Sequence, residues 1–223
     1  MIYNSVGSGP GAGPVAVQAA PPAFTPITIP GPADAGSGPA AGPVAEPAAT
    51  PAGPAAVPAP PVAPAFPSLA PSKPTRLRIP QISVDAPFTE LTLNPAGQLN
   101  APPPDDKNLV GWYRDGVSPG ELGAAVVAGH VDTKTGPAVF LSLSRLRPAS
   151  RVEVTREDGT VAVFSVDSVQ AFAKDAFPDQ KVYGNTPDAQ LRLITCGGAY
   201  DRQKKDYVEN VVVFAHLESS HPA

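Results

Sequence analysis

A single cysteine, Cys196, and three scattered histidines, His130, His216 and His221, are the only thiol and imidazole groups in the chain. One cysteine excludes an internal disulfide framework and a multi-cysteine zinc site. The histidines lie too far apart in sequence to suggest a metal cluster, so no metal and no cofactor are expected. Basic runs and basic-aromatic patches are also missing, and the formal net charge is −4, which argues against a nucleic-acid partner. No apolar run approaches the roughly 18 residues that a membrane-spanning helix needs. Nor does a basic segment precede a short apolar one, so no signal peptide is visible.

Charge itself is scarce in the first third. Residues 1–74 carry only Asp34, Glu46 and Lys73, against 33 of the 36 charged residues in 75–223, yet they hold 19 of the 31 prolines. The rest of that segment is largely Ala, Gly and Val. It lacks the large side chains that offset chain entropy, so residues 1–74 read as a disordered Pro/Ala/Gly-rich linker or stalk. Proline at this density favours extended conformers of about 3.1 Å per residue, a reach on the order of 200 Å. An inert tail of biased composition is the plainer alternative. The remainder is the right size for one domain with its own core, expected over 75–218, with 219–223 as a frayed tail.

From Thr75 the pattern becomes short alternating runs. Arg76-Leu77-Arg78-Ile79 alternates, and Ile82, Val84, Phe88 and Leu91 continue it as a pair of short strands broken by prolines. Leu93 to Pro104 reads as loop, Val110–Tyr113 as a new element and Ser118-Pro119-Gly120 as a turn. Ala124–His130 is a continuous apolar strand with the character of one buried on both faces. Phe140, Leu143 and Leu146 recur at helical spacing. Arg151–Arg156, Asp158-Gly159 and Val161–Ser165 give the strongest hairpin signal. After a loop from Phe177 to Pro187, Leu191–Cys196 and Val208–His216 complete seven or eight strands with almost no helix. Closing such a sheet removes its unpaired edges, so the expected architecture is all-β, a compact closed barrel.

Two of these strands share a form. Val126–His130 and Leu191–Cys196 are apolar runs, each ending in one chemically reactive side chain. Cys196 stands where its run gives way to Gly197-Gly198, where backbone N–H groups can come close to whatever the sulfur touches. If the two strand ends meet, an imidazole and a thiol share one rim. A free thiol has a pKa of about 8.5, and a nearby imidazolium favours its thiolate. The imidazole can then move protons at leaving and entering amines, which gives acyl transfer through a thioester. The plainer readings are a buried apolar cysteine and a histidine bonded to backbone. The tetrahedral oxyanion also needs donors. Gly197 and Gly198 N–H groups are candidates, as are Arg202, Lys204 and Lys205 beyond the cysteine, although most such charges are solvated loop groups. His216 could compete with His130 as base, but its setting is an ordinary strand exit. His221 falls in the expected tail.

Residues 76–217 resemble a sortase, most closely the class called F or E/F of actinobacteria. The matching pieces are Arg76–Pro80, Val110–Tyr113, Ser118–Glu121, Val127–Asp132, Leu193–Gly198 and Tyr207–Ala215. The resemblance implies a closed eight-stranded sortase-like β-barrel with one or two short helices behind a disordered linker. It also implies a cysteine transpeptidase that cleaves an LPXTG-like sorting signal between Thr and Gly. An amine from a cell-wall peptide or a protein lysine would then receive the acyl group. Cys196 would be the nucleophile and His130 the acid/base, with Thr195, Gly197, Gly198 and Arg114 around the substrate. Such an enzyme works as a monomer at the outer face of a Gram-positive cytoplasmic membrane, held by an anchor not encoded in these residues.

The chain departs from the family at one place. An arginine usual on the last strand is replaced by Asn210, five residues before Ala215. Asn donates a neutral hydrogen bond but supplies no cation, so Asn210, Arg202 or Arg114 is the candidate third residue. Two rival readings stand beside a sortase. One is an L,D-transpeptidase-like peptidoglycan acyl-transferase; the other is a non-enzymatic wall or adhesion module on a proline-rich stalk.

Overall fold

A computed structural model describes residues 67–223. The expected linker over 1–74 therefore lies mostly outside the described residues. Ten strands follow: β1 (Pro74–Ile79), β2 (Val84–Leu91), β3 (Val110–Tyr113), β4 (Gly123–Gly129), β5 (Asp132–Thr133), β6 (Gly136–Pro137), β7 (Arg151–Arg156), β8 (Thr160–Ala173), β9 (Ala189–Asp201) and β10 (Asp206–Pro222). Eight of them close a barrel in the order β1-β2-β3-β4-β9-β10-β8-β7, and β5 pairs with β6 outside it. The barrel is mixed: β2–β3 and β4–β9 are parallel, the other pairs antiparallel.

Local chemistry explains several of these elements. The β7–β8 hairpin turns at Asp158-Gly159, where Gly159 takes φ 77°. The pair of short strands expected here forms as β1 and β2, with Pro80 opening the 3-10 turn between them. Val84–Pro87 pairs with β1 and Phe88–Leu91 with β3, so Pro87, which has no N–H, stands where one strand changes neighbours. Phe140, Leu143 and Leu146 are fully buried, and their helical spacing corresponds to a single 3-10 turn at Leu143–Arg145. One short helix, α1 (Asp179–Tyr183), forms in the segment read as loop. No helix of the described residues is long and apolar enough to cross a membrane.

Strand alternation divides the buried side chains between two layers. Leu77, Ile79, Val127, Val154, Phe164, Leu191, Leu193 and Val213 fill the barrel interior. Val126, Ala128, Ile194, Val212 and Phe214 point outward from β4, β9 and β10, where Leu99 and Val182 of α1 cover them. β4 is thus apolar on both faces because both faces are buried.

Both boundaries of the domain extend past those expected. The Leu69 N–H donates to the Gly120 carbonyl at 2.8 Å, and the Ser72 N–H to Ser118 Oγ at 3.0 Å. The wholly buried guanidinium of Arg156 donates to the Ala70 carbonyl, to the Pro119 carbonyl at 2.8 Å and to Asp158 at 2.9 Å. Residues 69–74 therefore belong to the folded unit. At the other end, residues 219–223 are not a frayed tail: β10 runs on to Pro222, paired with Thr160 at the start of β8. Backbone pairing holds this end, and side-chain polarity does not report it.

Candidate active site

Three adjacent strands present the candidate chemistry as one row. Cys196 on β9 faces Asn210 on β10 directly, and Asn210 faces Phe172 on β8. Side chains so paired have Cβ atoms about 4.5–5.5 Å apart. On the other side β4 runs parallel to β9 with Ala128 beside Ile194, and two residues further along each chain come His130 and Cys196. The order across the surface is His130, Cys196, Asn210, Phe172. All four share the outward face of Ala128, Ile194 and Val212, and His130, Cys196 and Asn210 are almost fully buried there.

The chain geometry around each residue follows from its neighbours. A Cβ on Gly129 would stand 2.6 Å from the Phe140 ring, so glycine lets that core ring pack beneath the strand end carrying His130. The His130 carbonyl accepts from the Phe140 N–H at 2.9 Å, and its Nε2 donates to the Pro102 carbonyl at 2.8 Å. The Tyr207 hydroxyl on β10 donates to Asp132 Oδ2 at 2.6 Å, with the Tyr200 ring edge-on at 5.3 Å. That bond ties the segment after His130 to the hairpin beyond Cys196. It also holds the Tyr207 hydroxyl above its usual pKa, although burial contributes more.

The strand does not stop at Cys196. β9 continues through the two glycines to Asp201, so the sulfur sits within a long β9–β10 hairpin rather than at a rim. Gly198 has φ 74° at a bulge opposite Val208, and a Cβ there would meet the Glu209 carboxylate at 2.7 Å. A Cβ on Gly197 would meet Val211 at 2.6 Å. Both glycines are accounted for by the close approach of β10.

Burial pushes the Cys196 thiol up to about 11, an effect larger than the opposing pull of Lys174. The Lys174 ammonium donates to Sγ at 3.6 Å and to Asp206 Oδ1 at 2.7 Å. Lys174 opens a 3-10 turn directly after β8, two residues past Phe172. It had no signal in the sequence, because its position depends on β8 lying beside β10.

The other expected residues fall elsewhere. Arg114 is not at the thiol: β3 runs antiparallel to β4, which carries Arg114 toward the start of β4, where it pairs with Glu90 at 3.5 Å and Asp115 at 3.6 Å. Arg202, Lys204 and Lys205 occupy the exposed tip of the β9–β10 hairpin. Thr195 has the parity of Leu191 and Leu193, so it points into the barrel rather than lining the cleft, and its buried hydroxyl has no hydrogen-bond partner. Asn210 Oδ1 is likewise buried without one. His216 pairs with Asp167 at 2.6 Å on an exposed stretch, and His221 bonds to the Pro222 carbonyl. Among the described residues no group of acidic, histidine and cysteine side chains could hold a metal ion. Further down β4 on the same face lies an open cavity of about 550 Å³, lined by Tyr113, Leu122, Val126 and Tyr183 among others.

The Sortase domain family model matches residues 77–218. Comparison with curated protein sequences finds no match. Among solved structures, sortase A from Listeria monocytogenes is similar at 15% identity with a TM-score of 0.52, over 68% of this chain and 91% of that one. A lid mutant of sortase A from Corynebacterium diphtheriae is 18% identical with a TM-score of 0.51, over 66% and 70%. A mutant of sortase E from Streptomyces avermitilis is 23% identical with a TM-score of 0.49, over 69% and 93%. At these identities the likeness is one of fold.

Proposed function

The chain belongs to the sortase family, and on that premise we propose that it is a cysteine transpeptidase of the E/F type acting on an LPXTG-like sorting signal. The observation that carries the reading is the row of His130, Cys196 and Asn210 on one buried face. Cys196 passes its thiol proton to His130, the resulting thiolate attacks the Thr carbonyl carbon, and the carbonyl electron pair moves to oxygen. Collapse of that adduct breaks the C–N bond, and the leaving Gly amine takes a proton from His130. An incoming amine then loses its proton to His130, attacks the thioester and releases the thiolate. The Asn210 amide supports the oxyanion by a neutral hydrogen bond. The cavity beside Val126 lies about four residues, roughly 13 Å, down the strands from Cys196, a suitable place for signal residues upstream of the scissile bond.

The surface location follows from the reaction, whose substrates are secreted proteins and whose acceptor is a cell-wall peptide or a protein lysine. On this reading residues 1–66 form a spacer and the catalytic unit works as a monomer. The test combines the full chain with an LPXTG-type peptide and a glycine amine, followed by intact-mass spectrometry. The expected result is a protein adduct equal to the peptide up to Thr, absent in Cys196→Ala.

One observation favours a second reading. The thiol is buried, held in its neutral form, and faces Asn210 where a cation is usual. A folded protein that forms no adduct with any of a panel of peptides, and whose thiol does not alkylate, is a non-enzymatic wall module.

A further inference from the structure

We propose that Lys174, clamped by Asp206, is the catalytic cation of this site, supplying from the end of β8 the positive charge that Asn210 cannot. The inference rests on the transpeptidase reading for its step, but its geometry is independent of that reading. Lys174 Nζ is 3.6 Å from the reacting sulfur and 2.7 Å from Asp206 Oδ1, and its side chain is only 9% exposed. Neither Arg114 nor Arg202 is placed at the sulfur: one is engaged with Glu90 and Asp115, the other lies at the hairpin tip. The register explains how a residue 22 positions before the cysteine arrives there. Ala173 pairs with Glu209 and Phe172 with Asn210, so the residue after β8 sits one strand beyond β10 from Cys196.

An ammonium has three N–H donors. One serves Asp206, which fixes the side chain and offsets its charge in the resting protein. A second serves Sγ and favours the thiolate. A third is available to the carbonyl oxygen as negative charge develops there. Lys174 keeps its protons throughout. The thiolate electron pair forms the S–C bond, the oxyanion pair returns to expel the amine, and His130 carries the transferred proton. As sulfur passes from thiolate to neutral thioester it releases its hydrogen bond, and the cation follows the negative charge to oxygen.

The ionisable groups around the thiol are Lys174 from the turn after β8, Asp206 and Tyr207 from β10, Asp132 from β5 and, two residues past the last β4–β9 pair, His130. Of these, Asp206 and Asp132 disfavour the thiolate, so removing Lys174 leaves burial and two carboxylates unopposed. The experiment is the pH dependence of Cys196 alkylation by iodoacetamide in the full chain, together with peptide acylation, for wild type, Lys174→Gln, Lys174→Met and Lys174→Arg. Both neutral variants are expected to move the alkylation midpoint up by about one pH unit or more. They are expected to slow acylation roughly 10²-fold, with Lys174→Arg recovering part of both losses.

An unshifted midpoint with acylation within about twofold of wild type in Lys174→Gln overturns the proposal, as does a loss that follows Arg202→Ala instead. Alkylation needs no peptide. If no peptide acylates even the wild type, the transpeptidase reading fails while the profile still decides whether Lys174 controls the thiol.

Discussion

The interior of the barrel and the outer face of β4, β9 and β10 are both shielded from water, yet they are filled by different chemistry. Inside are aliphatic and aromatic groups such as Leu77, Val154, Phe164 and Leu193, with Thr195 as a polar intrusion. Outside, the same strands bury His130, Cys196, Asn210 and Arg192 beside Val126 and Ile194. Arg192 is held 4.7 Å over the Phe214 ring and brought down to about 10 by burial. Apolar burial stabilises, whereas buried polar atoms without partners cost free energy. The inner layer therefore carries the fold, and the outer layer tolerates costs that chemistry requires.

Four measurements test that division, beginning with the largest effect. Cys196→Ala should remove all acylation while leaving the urea midpoint close to wild type, because it trims one small side chain from the outer layer; residual turnover by this variant would end the proposed mechanism. Phe164→Ala, in the inner layer, should lower unfolding free energy by about 3–5 kcal/mol in urea titration, a loss far larger than that from Cys196→Ala. Alkylation of Cys196 should keep rising about tenfold per pH unit through pH 9 to 10, because burial raises the thiol and the neutral form persists below about 11. A plateau near the ordinary thiol value would show the outer face open to water. Thr195→Val should change stability least, raising it by up to about 1 kcal/mol as an unpartnered hydroxyl leaves the interior.

What the residues disclosed in advance was local. Asp158-Gly159 between alternating runs specified the β7–β8 hairpin, and the apolar run ending at His130 specified a strand buried on both faces. That this strand end lies beside Cys196 depends on β4 being the parallel neighbour of β9, which no local pattern encodes. Features set by non-local pairing were hidden. Gly197-Gly198 looked like a stop, but a bulge lets the ladder continue past them. Ser219–Pro222 has no apolar pattern and is held by backbone bonds to β8. Arg156 falls on the buried phase of an alternating strand, after Val152 and Val154, but its charge hid that this phase continues to the strand end. Lys174 was invisible because its neighbour is decided two strands away.

The grip of Arg156 on Ala70 bears on how the unit withstands tension. A pull along the chain from residue 66 meets the Leu69–Gly120 bond and the guanidinium before it reaches Pro74 and the first strand. Those bonds must fail before β1 can be peeled from β2 and β7, so the barrel's closing seam is shielded from load by a strain relief at its rim.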